Sequence, residues 1–417
     1  MKYNSINAQI IANTATVATK LNPVEVVKGS ITNLAEERDK WLKAFQNRFY
    51  CDPQFHYDRS MLRAIAGLQG ELAMGRNHLA TRIEPETPAE YIMKDILLHR
   101  IEGAIQTTEL AASILLCDDK STHEIVQSIY GHPTNTQVVR AYQIVDHEFV
   151  RPHIRARWTK KDRKALEKMT FDATQIKYWF DEVINLYGVE GWTVEIGDRF
   201  PCIDVRNKDS SGKQVVGIPT SRKVTGLKLL ELIGHELECH LLGSENCRAV
   251  VEEILGADSP LAPLFPLIAK SDNELLYEGV AKISDVRTNG NDGLPQAYAT
   301  IACDQARRGA SFREIAQMIY GQRREMGQKE DAAIKGAWTT AFRTICGSTN
   351  PSKGGYAFTK DYIYMGGFDL AQTVDPSWLD FSSFTVEEIE AITKVHKLSP
   401  RHPNLDATDW VKIQLLP

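Results

Sequence analysis

The sequence predicts an α+β fold, mainly helical, in which a small antiparallel sheet separates two long helical stretches. Three observations point there. Apolar residues recur at three- and four-residue spacing through most of the first ~190 residues, with Pro and Gly as the interruptions, and the same spacing returns from Gly226 to about Arg343. Between these stretches, from Gly191, the period shifts to strict alternation. The chain of 417 residues is 43% apolar and 25% charged, and no run approaches the ~20 uninterrupted apolar residues of a spanning helix, so a globular, non-membrane protein is expected.

Taken in order, residues 1–170 read as an N-terminal helical part and 171–417 as the part that carries the sheet. A long helix is expected over Glu90–Leu116, with Pro88 just ahead of its start. Thr174–Tyr187 is the clearest amphipathic segment. Ile176, Trp179, Phe180, Val183, Ile184 and Tyr187 make one apolar stripe, and Gly188 supplies the stop. Trp192, Val194 and Ile196 then alternate with Thr193 and Glu195; Cys202–Val205 and Val215–Ile218 follow, with Asn207–Lys213 as a polar turn. Helical spacing resumes at Gly226–Leu242, Gly347–Gly355 is a loop, and Phe384–Lys397 gives one more helix. There is no internal repeat, low-complexity tract or compositional linker, so the parts are expected to pack as one body.

The formal charge of −5 supplies no overall positive field for nucleic acid or an anionic membrane surface. The N-terminus has one early Lys but no continuous apolar core, and a cytoplasmic location is the expectation. Seven cysteines, an odd and scattered set without a C-x-x-C pair, argue against a disulfide framework and against an all-thiolate zinc site. Neither a phosphate-cradling glycine loop nor a G-x-S-x-G nucleophile element is present.

The sharpest chemical signal is His235-Glu236-Leu237-Glu238-Cys239-His240, inside an apolar helical stretch. Two imidazoles suit zinc, and a carboxylate beside the first suits removal of a proton from water, as in H-E-x-x-H metallopeptidases. Here the spacing is one residue longer. At about 100° per residue, the two histidines of a regular α-helix point about 140° apart, so a shared ion requires a locally wider turn, a π-bulge. Gly234 leaves room beside the first histidine. Two His, two Glu and a Cys on such an apolar helix are costly to bury without partners.

A peptidase-type zinc takes a third protein ligand and keeps a position for water. Glu278, in Asn273-Glu274-Leu275-Leu276-Tyr277-Glu278-Gly279-Val280-Ala281, is the preferred candidate, because Gly279 and Ala281 allow close helix approach. Glu274, one turn earlier, and Asp285, seven residues later, are candidates to orient the ligands. Cys239 precedes His240 directly, which makes joint ligation awkward; it reads as a small packed residue.

These residues resemble the tyrosine metallo-carboxypeptidases, the family of the microtubule-associated tyrosine carboxypeptidases and their bacterial QEGLA-motif relatives. The H-E-x-x-x-H element and Glu278-Gly279-Val280-Ala281 carry the resemblance. It extends through Leu21-Asn22-Pro23, Asp52-Pro53-Gln54-Phe55, Arg100-Ile101-Glu102, Ile129-Tyr130-Gly131-His132-Pro133, Ser311-Phe312-Arg313 and Phe358-Thr359-Lys360-Asp361 with Tyr364, in order along nearly the whole chain. It implies a zincin-like core with one Zn²⁺ per chain held by His235, His240 and Glu278, and Glu236 as general base. A peptide or protein C-terminus, with an aromatic terminal residue in view, is the implied substrate.

A carboxypeptidase also needs a cation or donors for the terminal carboxylate of its substrate. Lys360 is the first candidate, just after a Gly-rich loop (Pro351–Gly355) expected to fold over the cleft. Tyr364 or Tyr362 would donate to the developing oxyanion. Arg248, in the Glu245-Asn246-Cys247-Arg248 turn, and Arg343 are further candidates for binding substrate. Cys346 stands where the family pattern has a basic residue, which leaves terminal specificity open. The long basic extension of the tubulin-directed relatives is missing and the chain is acidic, so tubulin is not the expected substrate. The dipeptidyl peptidase III family shares the H-E-x-x-x-H element with a downstream Glu, so cleavage from the amino end is the alternative enzymatic reading. A non-catalytic regulatory protein that retains the fold is the other.

Overall fold

Several of the helices begin where a side chain satisfies part of their unpaired backbone groups. The computed structural model describes residues 29–146, 158–206, 214–256, 275–289 and 294–416, with positions 10, 13, 14, 17, 259, 261 and 264. Leu21-Asn22-Pro23, the expected turn Asn207–Lys213 and Glu274 lie outside the described residues. The first helices are α1 (Leu34–Gln46), α2 (Leu62–Arg82), α3 (Pro88–Leu116), α4 (Asp119–Tyr130), α5 (Asn135–Val145) and α6 (Lys160–Leu166). Pro88 occupies the first turn of α3, and Thr87 and Glu90 close a reciprocal capping box there.

The strand region comprises β1 (Thr170–Asp172), α7 (Ala173–Tyr187), β2 (Trp192–Ile196), β3 (Asp204–Arg206), β4 (Gln214–Ile218) and β5 (Lys223–Thr225). Helix α7 carries the expected stripe, closed by Asp172 as N-cap and by Gly188 in the left-handed conformation at φ 63°. Trp179 is only half-buried, with its ring 6.2 Å from that of Trp410. Antiparallel pairing, as expected, joins β3 to β4 and β1 to β5. Strand β2 departs from it. The order β2-β4-β3 puts β4 in the middle, so β2 and β4, which run the same way, become parallel neighbours. Alternation reports which face of a strand is buried and carries no information about strand order, which is why the sequence missed this.

The chain continues as α8 (Gly226–Leu232), a π-helix (Ile233–Leu241), α9 (Leu242–Leu255), α10 (Leu275–Asn289), α11 (Leu294–Arg307), α12 (Phe312–Glu325), α13 (Glu330–Ile345), α14 (Ile363–Ala371), α15 (Val386–Thr393) and α16 (Ala407–Leu415). The Glu245–Arg248 stretch, expected as a turn, is helical and belongs to α9. The last expected helix is confined to α15, with Thr385 as its N-cap.

Three large apolar cores form among the described residues, beside a small cluster of Ile65, Ala111 and Leu115. One joins the sheet, α7, α8 and the π-helix to α16. The second sets Leu72–Ala104 side chains against α9, α10 and α15, and the third sets α1, α4 and α5 against α11, α12 and α13. A buried ion pair reinforces the second: Arg100 donates to both carboxylate oxygens of Glu388, its Nε at 2.9 Å, and to the Ser383 carbonyl at 3.1 Å. Arg100 thus ties α3 to α15. Among the described residues, no helix is long and apolar enough to cross a membrane.

Candidate metal centre

The site is assembled where the π-helix meets α10. Helix α8 starts at Thr225, whose side chain accepts from Lys228 N, and buries Leu227, Leu229, Leu230 and Leu232. At Ile233 the backbone widens into the π form, which lasts to Leu241. Hydrogen bonding at five-residue intervals stacks residues five apart, and it does so here for His235 and His240. Their ring centroids lie 4.8 Å apart with the planes at 90°. The wider turn demanded by the one-residue excess in the motif is therefore present.

Three glycines set how closely the neighbours approach. A Cβ on Gly234 would stand 2.2 Å from Ser284 Oγ of α10 and 3.3 Å from Thr408 Cγ2, so glycine leaves the π-helix room beside that helix. A Cβ on Gly279 would stand 2.0 Å from the Gly367 carbonyl oxygen, and one on Gly367 2.0 Å from that of Leu275. Helices α10 and α14 therefore cross backbone to backbone, and this crossing carries Tyr364 toward Glu278. The expectation of close approach at Gly279 holds, with α14 as the partner.

His235, His240 and Glu278 each present one ligand atom, and these atoms lie within 4.8 Å of one another. His235 Nε2 is 3.9 Å from Glu278 Oε2, while its Nδ1 is 3.1 Å from Asp285 Oδ1. Asp285, a candidate to orient the ligands, thus lies within hydrogen-bond reach of the first histidine. His240 is held differently: its ring stacks on Tyr277 at 3.8 Å and 15°, and its buried Nδ1 has no hydrogen-bond partner among the described residues. A nitrogen desolvated without a hydrogen bond costs free energy that coordination recovers. Two imidazoles and a carboxylate converging on one point, with one imidazole nitrogen left over, fit a zinc-type cation.

Without a metal the two histidines are tuned in opposite directions. Burial, followed by the neighbouring His235, pushes the pKa of His240 well below the usual histidine range, which keeps it in the neutral form a metal requires. For His235 burial opposes the charge, but Asp285 outweighs it and the pKa rises to about 9. The Asp285 carboxyl is held well below its usual range by His235 and Lys282 against the effect of burial. Glu236 is pushed up to about 7 by burial, with His235 opposing and Glu278, Asp204 and Asp285 reinforcing. Asp204 belongs to β3, so that strand borders the site.

Glu238, the second acid of the motif, is buried and structural. It accepts from Thr408 N at 2.9 Å, at the start of α16, and from the Tyr187 hydroxyl at 3.4 Å. Cys239 is buried, and burial raises its thiol well above the usual range, in keeping with a packed residue.

The residues expected to hold substrate are more scattered. Tyr364 lies closest to the metal group. Glu278, then burial and Asp361, raise its phenol well above the usual range against Lys360 and Arg343, so it stays a donor at neutral pH. Lys360 Nζ lies 5.9 Å from the centre of the Tyr130 ring, and Thr359 Oγ1 donates to the Gly131 carbonyl at 2.7 Å, so the 129–133 and 358–361 segments meet. Tyr362 is packed in the core, its hydroxyl close to Gly131. Arg343 donates through two nitrogens to Asp361, one of them at 2.5 Å. Arg248 pairs with Glu245 and, at 3.2 Å, with Glu252, both on its own helix.

The Gly-rich loop does not fold over the cleft as expected. Phe312 N donates to the Pro351 carbonyl at 2.8 Å, Gly355 N to that of Ala306 at 3.1 Å, and Thr349 binds Asp119 through its N and Oγ1. These bonds dock the loop on α11 and α12 and the residues just before it on α4. Cys346 is buried, and its carbonyl accepts from the Tyr356 hydroxyl at 3.1 Å.

Sequence reasoning missed Tyr277 and Lys282. Lys282 Nζ lies 2.5 Å from Asp285 Oδ2 and 5.3 Å from the centre of the Tyr364 ring. Its spacing from Glu278 and Asp285, four and three residues, is the signal that marks it as sharing their helix face. The chain matches no protein-family model, no curated protein and no solved structure.

Proposed function

We propose that this chain is a zinc-dependent metallopeptidase with a zincin-like core, acting as a carboxypeptidase on peptide or protein C-termini. The observation that carries the reading is the convergence of His235 and His240 of the π-helix with Glu278 of α10, with Glu236 next to the first ligand. The quoted family resemblance supplies the reaction class, with an aromatic terminal residue as the first substrate to try. The cysteines, odd in number and scattered along the chain, suit a reducing, cytoplasmic setting.

Zinc, when bound, supplies a Lewis acid that polarises the scissile carbonyl and makes water nucleophilic at neutral pH. The residues of the chain do the rest. Glu236, with a pKa near 7, takes a proton from the attacking water and returns it to the leaving amine. Tyr364, kept as a phenol, donates to the oxygen on which negative charge develops. Lys360 binds the terminal carboxylate, with Arg343 fixed beside it by Asp361.

Elemental analysis of protein purified without added metal should find about one zinc per chain, the occupancy of a single three-ligand site. Peptides blocked at either end then distinguish the reactions. Hydrolysis of free C-termini is expected, and cleavage restricted to amidated C-termini would overturn the carboxypeptidase assignment in favour of amino-end cleavage. Glu236→Gln should lower kcat by about 10²–10⁴-fold with zinc retained. Absence of zinc together with an unaffected Glu236→Gln variant would sink catalysis altogether.

A further inference from the structure

On α10, Glu278, Lys282 and Asp285 follow one another at four and three residues, so they share the face turned to the π-helix. The Asp285 carboxylate is divided between two donors: Oδ1 lies 3.1 Å from His235 Nδ1, and Oδ2 lies 2.5 Å from Lys282 Nζ. The same ammonium lies 5.3 Å from the centre of the Tyr364 ring, on the helix that crosses α10 at Gly279. The Lys282 side chain is only 17% exposed, against 63% for the ion-paired Lys40 at the surface. A lysine fixed this way gives up rotamer freedom, a cost that a freely solvated cation avoids.

We propose that Lys282 is a positioning residue of the metal centre: by gripping Asp285 Oδ2 it fixes the carboxylate plane, so that Oδ1 stays on His235 Nδ1 and Nε2 stays turned toward Glu278. The proposal rests on the metallopeptidase reading. A carboxylate held at one oxygen only is free to rotate, and the imidazole that depends on it rotates too. Tyr364 bounds the other side of the ammonium and keeps it over Asp285.

Two roles for Lys282 give opposite signs. If it were merely a nearby positive charge, its loss would tighten binding of a dication. If it positions Asp285, its loss weakens binding, because orienting partners of ligand histidines are worth about 10–100-fold in metal affinity. The test uses the full chain stripped with a chelator and titrated with Co²⁺, followed by the visible absorption of the bound ion. Lys282→Met should bind Co²⁺ about tenfold more weakly and with an altered spectrum. Lys282→Arg, which keeps charge and donors, should recover most of both. Thermal unfolding of the metal-free forms checks that the variants fold, and Lys282→Gln serves if the Met variant does not. Unchanged or tighter binding by the neutral variant overturns the proposal, as does an Arg variant no better than the Met variant. A wild-type chain that takes up no Co²⁺ sinks the metallopeptidase reading and this proposal with it, whereas wild-type uptake with an unaffected Lys282→Met sinks the proposal alone.

Discussion

The two ends of the candidate site use charge in opposite ways. At the metal end, Glu236, Glu278 and Asp285 crowd two histidines, and each acid raises the energy of its neighbours' ionisation. At the other end, Arg343 is neutralised by Asp361, and Lys360 lies over the Tyr130 ring. The first arrangement is a set of electron-pair donors that a cation reconciles; the second is balanced within the protein. Like-charged groups held together are expensive, and such an arrangement persists where function requires it. This contrast separates a metal centre from an ordinary ion-pair network, although both contain the same residue types.

The two ends are coupled at the crossing of α10 with α14, so the largest expected effect comes from forcing that crossing apart. Gly279→Ala places a methyl group on the Gly367 carbonyl, and backbone on both sides leaves little room to yield. A loss of about 3 kcal/mol in denaturant unfolding is expected, at the upper end of overpacking costs. Unaltered stability would mean that the helices do not cross so closely.

Proton competition sharpens the contrast next. Without metal, His235 with its pKa raised to about 9 contributes stability that is complete below its unfolded value of about 6.5 and is lost as the pH rises through 9. Glu236, raised to about 7, acts in the same direction from its unfolded value of about 4.3 upward. Asp285, held low, contributes above about 3.9 and loses its effect as the pH falls further. The Tm of chelator-stripped protein should therefore decline from mildly acid pH to pH 9. Zinc-loaded protein, whose histidines are neutral throughout, should lack that decline. Parallel curves for the two forms would break the assignment of His235 as a ligand.

The substrate end should respond differently to loss of its two cations. Arg343→Met leaves Asp361 without its bidentate partner and should cost about 1–3 kcal/mol of stability. Lys360→Met should leave stability nearly unchanged and raise KM for free C-termini about tenfold, the loss of one charge-assisted contact. If the two variants exchange these signatures, Arg343 rather than Lys360 binds the carboxylate.

How much of this was legible follows from where direction is set by arithmetic. Around a helix each residue adds a fixed angle, so the five-residue spacing of His235 and His240 itself demanded a wider turn, and Gly279 beside Glu278 announced a close crossing. The partner helix at that crossing was not legible, because nothing local to Gly279 encodes Gly367. The loop at Pro351–Gly355 was misread for the same reason: its glycines state conformational freedom, while Ala306, Asp119 and Phe312, distant in sequence, decide where it docks. The parallel pairing of β2 with β4 likewise depends on strand order, which a strand's own pattern does not contain.

Arg248 supplies the smallest expected effect on activity and a useful control, because the signal that reassigns it was present in the sequence. It lies three residues after Glu245 and four before Glu252, positions that meet on one helix face. Glu245 is in turn buried and accepts from Trp192 Nε1 at 2.9 Å and Gln214 Nε2 at 3.1 Å, so the guanidinium completes a network anchored on β2 and β4. An arginine so engaged would have to leave two carboxylates to meet a substrate. Arg248→Ala is therefore expected to change kcat/KM less than about twofold while costing about 1–3 kcal/mol of stability, since it strips a donor from a buried acid. A rise in KM comparable to that of Lys360→Met would place Arg248 at the substrate after all, and would require α9 to turn a different face toward the metal centre.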